Sequence, residues 1–451
     1  MSVQETNPPP DRTTELQAKL YQAAKRDPKR RFHALYDKLC LGYVLQSAWE
    51  LVRRNRGAAG VDQLSLDEIE AEGVPEFLAG VAQALREKTY RPQPVRRVEI
   101  PKGDGKTRPL GIPTVRDRVV QAAAKLLLEP IFEADFEGSS FGFRPGMGPQ
   151  EALAAVQENA RAGYRWVVDA DIEQFFDRLD HQQLMAALRG RLSDGELLRL
   201  IYRWLKAGYL LEGVYHDTDG GSPQGGVLSP LLANVYLHGF DQAQRTQQSF
   251  IGRLVRYADD FVLQCGTADQ AARAHAWARV QLGALGLSLH PEKTRVVSDR
   301  EEGFDFLGFH HRRVLLRGKR VEAWGVLRWP SGKACRQFRE AVRQRVGSPG
   351  YLREHWGSVC RRLRAYLRGW CHYYRRGQGT RVFTKLDEWV RERVARHLAR
   401  SQPTGRRRRR RHWTAYAQSL RQERRLAQLT QLQHERPLAY RGRANVRWKA
   451  G

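Results

Sequence analysis

Tyr257-Ala258-Asp259-Asp260 places two carboxylates side by side within Arg253-Leu-Val-Arg-Tyr-Ala-Asp-Asp-Phe-Val-Leu-Gln264. Apolar residues flank the acids on both sides, the pattern of a β-hairpin with the acids at its turn. Adjacent like charges repel, and hard oxygen donors select Mg²⁺, or Mn²⁺, over softer metals. A third acid, Asp171, closes the short apolar strand Trp166-Val-Val-Asp-Ala-Asp-Ile172 and precedes Phe175-Phe176-Asp177. If that strand lies beside the hairpin, Asp171, Asp259 and Asp260 converge at one end of a sheet. Three carboxylates can hold two divalent ions about 4 Å apart, the arrangement of two-metal phosphoryl transfer. Taken alone, the Asp-Asp pair is also an ordinary surface turn, and Asp171 is also a strand-end acid that caps a helix.

These acids need elements to position them. Phe32 to Arg54 carries apolar residues at helical spacing and stops at Asn55-Arg56-Gly57-Ala58-Ala59-Gly60. A second helix is expected from Leu66 to Glu87. Residues 95–100 read as a strand, Lys102 to Arg108 as a basic, Gly-rich hairpin loop, and Pro109–Ile112 as its extended return. Helices are expected at Val115–Leu128, 181–206 and 268–285. From 332 to His397 the chain is helical and basic, Gln402-Pro-Thr-Gly405 breaks it, and six arginines follow (Arg406, Arg407, Arg408, Arg409, Arg410 and Arg411). Residues 1–28 read as a flexible tail.

Composition points to a polyanionic partner. The 451 residues carry 77 basic and 49 acidic side chains, a formal net charge of +28. Such an excess repels itself unless neutralised, and each phosphate neutralised releases counterions. The cysteines (Cys40, Cys265, Cys335, Cys360 and Cys371) are odd in number and widely spaced, which argues against a zinc site or disulfide framework. No apolar run is long enough to span a membrane and the first residues lack signal-peptide character, so the expectation is a cytoplasmic protein.

Together these segments resemble the reverse transcriptase-maturases of group II introns over roughly residues 30 to 400, in family order. Asn55-Arg-Gly-Ala-Ala-Gly-Val-Asp62 is similar to the family's N-terminal extension. Pro101-Lys-Gly-Asp-Gly-Lys-Thr-Arg-Pro-Leu-Gly-Ile-Pro113 resembles its fingers hairpin, and Ser222-Pro-Gln-Gly-Gly-Val-Leu-Ser-Pro-Leu-Leu-Ala-Asn234 the motif before the catalytic hairpin. Phe306-Leu307-Gly308-Phe309 resembles the primer-grip turn, and Leu367-Arg-Gly-Trp-Cys-His-Tyr-Tyr374 the maturase, or thumb, segment. The resemblance implies an α+β right-hand polymerase, with fingers and palm built on antiparallel sheet, then an α-helical thumb and a basic extension. The implied domains are 29–330 (fingers and palm), 331–402 (thumb or maturase) and 403–451 (nucleic-acid-binding extension), after the tail at 1–28.

It implies an RNA-directed DNA polymerase with Asp171, Asp259 and Asp260 as catalytic residues. These, with the Ile172 carbonyl, would bind two Mg²⁺ ions. Lys102 and Arg108 would clamp the triphosphate, and Phe176 would exclude the ribose 2′-hydroxyl. Gln224 would contact the nascent pair, and Lys293 would lie near the leaving phosphates. Arg361, Arg362, Arg364 and Arg368 would grip the duplex backbone beside Trp370, Tyr373 and Tyr374, and Arg406–Arg411 would bind polyanion. The implied partners are an RNA template, a group II intron RNA above all, a DNA primer or target, and dNTPs. The oligomeric state stays open. Nothing supplies the Cys/His ligands of the endonuclease domain that many of these proteins carry. The competing role for the same chemistry is a domesticated reverse transcriptase in phage defence, spacer acquisition or DNA repair.

Overall fold

The computed structural model describes residues 11–101, 107–218, 220–222, 225–317, 322–347, 356–401 and 428–433. Lys102, Gln224 and Arg406–Arg411 lie outside the described residues. Among the described residues the chain divides into two compact units: 11–159 and 170–296 form the first, and 160–169 with 297–433 the second. This division falls near Val296, not at residue 330, because the last strands pack with the helices that follow them.

The first unit begins with a correction. Residues 12–26, expected as part of a flexible tail, form helix α1 (Arg12–Arg26), capped by the Asp11 carboxylate accepting from Thr14 N. Its inward face is Thr13, Gln17, Leu20 and Ala24. Thr13 bonds Ser47, and the Gln17 amide donates to the Leu126 carbonyl. Half of that face is polar, so its burial left little hydrophobic periodicity to read. The helix expected over Phe32–Arg54 is two, α2 (Tyr36–Leu39) and α3 (Gly42–Asn55). The next is also split, into α4 (Leu66–Glu72) and α5 (Val74–Arg86), at Gly73, whose φ of 122° no helix accommodates.

These helices pack around α6 (Val115–Glu133). It runs a turn beyond its expected end, and residues on every side of it are buried, from Val119 and Val120 to Leu128 and Ile131. The Arg56–Asp62 loop docks on its start. Arg118 Nη2 donates to the Ala58 carbonyl, and a side chain at Gly60 would meet the Thr114 backbone at 2.6 Å.

Two four-stranded sheets follow in the chain. The first has the order β2-β1-β4-β5, from β1 (Val95–Pro101), β2 (Thr107–Ile112), β4 (Tyr209–Leu211) and β5 (Val214–His216). Strands β1 and β2 are antiparallel with Ile100 opposite Arg108, while β4 joins β1 in parallel. The second sheet has the order β6-β7-β3-β8, from β3 (Trp166–Asp171), β6 (Arg253–Tyr257), β7 (Asp260–Cys265) and β8 (Arg295–Ser298). Helices α7 (Pro149–Arg161), α8 (His181–Arg191), α9 (Gly195–Leu205), α10 (Ser229–Thr246), α11 (Gln248–Ile251) and α12 (Ala268–Ala284) lie between these strands in the chain.

The second unit joins a sheet, β9 (Phe304–Phe306), β10 (Phe309–Arg317) and β11 (Glu322–Pro330), to helices α13 (Gly332–Gly347), α14 (Trp356–Tyr374) and α15 (Thr380–Ser401). Phe309, Phe338, Trp370, Tyr374 and Phe383 form its aromatic core, with Trp370 and Tyr374 ring centres 4.3 Å apart. Tyr374, expected beside a bound duplex, is buried inside the unit, while Trp370 packs against it and stays partly exposed. Tyr373 touches Phe309, and its hydroxyl donates to the Leu307 carbonyl at 2.9 Å. Among the described residues no helix is long and apolar enough to cross a membrane.

Candidate active site

Strands β6 and β7 pair from Arg253 opposite Gln264 to Tyr257 opposite Asp260, leaving Ala258 and Asp259 as a two-residue turn. Ala258 takes φ 61°, an unfavourable value for a residue with a Cβ, so its surroundings must hold it there. Arg256 does so. Its side chain is fully buried, and its five N–H donors are all used. Nε and Nη2 grip the two oxygens of Asp241 at 2.8 and 2.5 Å. Nη1 donates to Asn234 Oδ1 (3.1 Å) and to the Ala258 carbonyl (2.8 Å), and Nη2 to Ser140 Oγ (2.7 Å). Asn234 passes the contact on by donating to the Gly142 carbonyl. Gly142 must be glycine, because a Cβ there would lie 2.3 Å from Ala258 N. Arg144, bidentate on the buried Glu133, fixes the loop carrying Gly142.

Sequence reasoning overlooked this support. The signal was Arg256 itself, a charge inside the apolar run Leu254-Val255-Arg256, which when buried must find a partner.

Strand β3 is the neighbour of β7 and brings Asp171 to the same sheet. The Asp171 carbonyl accepts from His290 N, and Glu173 N donates to the Ser288 carbonyl, both on one side of the strand. The Ile172 N–H and C=O between them therefore point away from the 288–290 segment. Burial raises the Asp259 carboxyl above the usual aspartate range, and the charge of Asp171 raises it further, while Arg108 and Lys293 oppose the shift. Asp171, Asp259, Arg108 and Lys293 thus form one electrostatic cluster.

Among the described residues no group of three or more His, Cys, Asp and Glu side chains is drawn together as a metal cage. Asp171 instead pairs with Lys293, Nζ to Oδ2 at 2.6 Å. A cation within reach of a carboxylate accounts for the pairing. The carboxylate donors suit a hard cation, and the exposed Lys293 ammonium pairs with one of them.

Phe176 is half-buried, set edge-on to the buried Phe175 at 5.1 Å. It lines a cavity of about 260 Å³ with Arg97, Pro109, Tyr209, Gly221 and Ser222. In the second unit, Phe306 and Phe309 are core, and the turn between them, Leu307-Gly308, has φ 48° and 78°, as a tight hairpin requires. On α14, Arg361, Arg364 and Arg368 share one helical face, while Arg362 turns inward to bond the Arg345 carbonyl.

Known proteins place this architecture. Residues 100–311 match the family described as "Reverse transcriptase (RNA-dependent DNA polymerase)", and residues 336–416 the "Group II intron, maturase-specific domain". Protein YkfC of Escherichia coli is 35% identical over 363 residues, covering 71% of this chain and 93% of that protein. This chain belongs to the group II intron-type reverse transcriptase-maturase family. The Group II intron-encoded protein LtrA of Lactococcus lactis is 41% identical over 214 residues, 47% of this chain but only 35% of LtrA's own length. Among solved structures, the partial Cas6-RT-Cas1–Cas2 complex is similar over 55% of this chain and 42% of that one, at 26% identity and a TM-score of 0.34. This reverse transcriptase is accordingly an RNA-directed DNA polymerase, an activity that depends on divalent metal.

Proposed function

We propose that this reverse transcriptase uses Asp171, Asp259 and Asp260 as its catalytic carboxylates and serves a group II intron RNA, which it binds to assist splicing and copies during retrohoming into DNA. One observation supports the site assignment above the others: Asp259 stands at a turn held by a buried arginine, within the field of Asp171, Arg108 and Lys293. Two Mg²⁺ ions, held by the three carboxylates and the Ile172 carbonyl, would activate a primer 3′-hydroxyl and neutralise the leaving pyrophosphate, and Mn²⁺ suits the same donors.

The chain's own residues divide the remaining work. Arg108, and Lys102 before it, bind the triphosphate of a dNTP. Phe176 packs against its sugar and leaves no room for a 2′-hydroxyl. Lys293, released from Asp171 once that carboxylate is otherwise neutralised, holds a proton for the departing phosphate oxygen. Gln224 contacts the nascent pair. The Leu307-Gly308 turn steadies the primer, and Arg361, Arg364 and Arg368 meet the phosphates of an A-form duplex, which is read by backbone rather than base edges. Arg406–Arg411 add affinity for polyanion of any sequence. The protein works in the cytoplasm, on the nucleoid when bound to DNA.

Sequencing the RNA that copurifies with the protein tests the choice of partner. A structured intron lariat is the expected result. Recovery of unstructured or mixed RNA alone would refute the intron role and favour a domesticated enzyme.

A further inference from the structure

The segment that ends in the sugar gate is bonded directly to the loop that opens the Ser222-Pro-Gln-Gly motif. Ser222 N donates to the Phe176 carbonyl at 2.7 Å, and Gly221 N to the Leu179 carbonyl at 2.8 Å. The third bond comes from a side chain: His181 Nε2 lies 2.6 Å from the Gly221 carbonyl. A carbonyl only accepts, so Nε2 carries the proton and His181 is the donor. The imidazole is 5% exposed, and its Nδ1 is buried without a hydrogen-bond partner among the described residues. Gly221 sits at φ 83°, where an added Cβ would lie 2.8 Å from the Phe176 carbonyl. There is no slack between the two segments.

We infer that His181 is a positioning residue that fixes the distance between Phe176 and the Gly220–Ser222 loop, and so sets how strictly the enzyme selects deoxyribose over ribose. The inference rests on the proposed role of Phe176 as the sugar gate. Both segments line the same cavity, so a shift of one against the other changes the room beside the sugar. Phe176 itself is placed by its backbone carbonyl, which Ser222 holds, and by its edge contact with Phe175. Without the Nε2–H donor the buried Gly221 carbonyl is unsatisfied and turns to find another partner. The loop then moves with it, and the gate loses its opposite wall. Excluding a single hydroxyl depends on steric fit, so a small displacement acts on the competitor more than on the correct substrate.

The test compares incorporation of dNTP and the matching rNTP by the full chain on an RNA template with a DNA primer. His181→Phe keeps a planar ring and removes the donor, whereas His181→Gln keeps an N–H at nearly the Nε2 position. His181→Phe is expected to lower dNTP-over-rNTP selectivity roughly ten- to a hundredfold, the range a lost buried hydrogen bond allows, mainly by raising rNTP kcat/KM. His181→Gln is expected to recover most of the selectivity. Parental selectivity in His181→Phe would overturn the inference. So would an equal loss for both nucleotides together with a lowered melting temperature, which is the outcome of a merely structural role. If Phe176→Ala leaves selectivity at the parental level, the gate reading itself fails, separately from the clamp.

Discussion

Asp241→Ala tests the support beneath the catalytic turn. Asp241 and Arg256 are both completely buried, and the carboxylate takes two of the guanidinium's five hydrogen bonds. Deleting one partner of such a pair leaves an uncompensated charge and costs about 3–5 kcal/mol. The two units need not unfold together, so the cost is best read locally, by amide hydrogen exchange in peptides spanning β6 and β7. Freed from Asp241, Arg256 also reorients and releases the Ala258 carbonyl, now held at 2.8 Å. Losing that bond, at about 1–3 kcal/mol, is expected to slow primer extension by at least roughly tenfold. The double variant Asp241→Leu/Arg256→Met separates the two effects. Replacing the whole buried pair with apolar side chains is often neutral or stabilising, so protection should return. Extension should not, because Met has no donor for Ala258. Full extension by the double variant would refute the idea that Arg256 holds the turn. A cost below about 1 kcal/mol for Asp241→Ala, the worth of an exposed pair, would show that the pair is not buried.

Two further outcomes follow from the same geometry. Gly142→Ala forces a Cβ to within 2.3 Å of Ala258 N, so extension measured at saturating dNTP is expected to fall sharply; unchanged kcat would mean that the turn tolerates displacement. The second concerns pH. The folded Asp259 carboxyl is raised by burial and by Asp171, so between its ordinary and its raised value the folded chain holds a proton that the unfolded chain has lost. Its contribution therefore favours folding at low pH and is lost as pH rises through that window. Asp259→Asn should stabilise the metal-free protein above the window and flatten its melting temperature against pH, and a less stable Asn variant at neutral pH would contradict the direction of the shift.

The hairpin was legible in the sequence because two apolar strands bounded a short acidic turn, and Asp171 because it closed an apolar strand. What escaped reading was support made by polar residues whose burial the sequence does not announce. Asp241 and Asn234 look like surface residues until the fold encloses them, and Arg256, a charge inside an apolar run, was the cue passed over. Helix α1 hid for the same reason, its inner face being half Thr and Gln. The aromatics beside the α14 arginines were read as part of a duplex-gripping face, yet Tyr374 is buried in the second unit and Trp370 packs against it. The pairing of Asp171 with Lys293 was not legible either, because the two are far apart in sequence.

The central claim is that Asp171, Asp259 and Asp260 carry metal-dependent DNA synthesis on an RNA template. Primer extension by Asp259→Ala in Mg²⁺, measured beside RNA affinity on the same preparation, tests it most directly. Extension is expected to fall by roughly three orders of magnitude or more, the scale of lost charge stabilisation in the transition state, with RNA affinity nearly unchanged. Extension within tenfold of the parent would place the chemistry elsewhere.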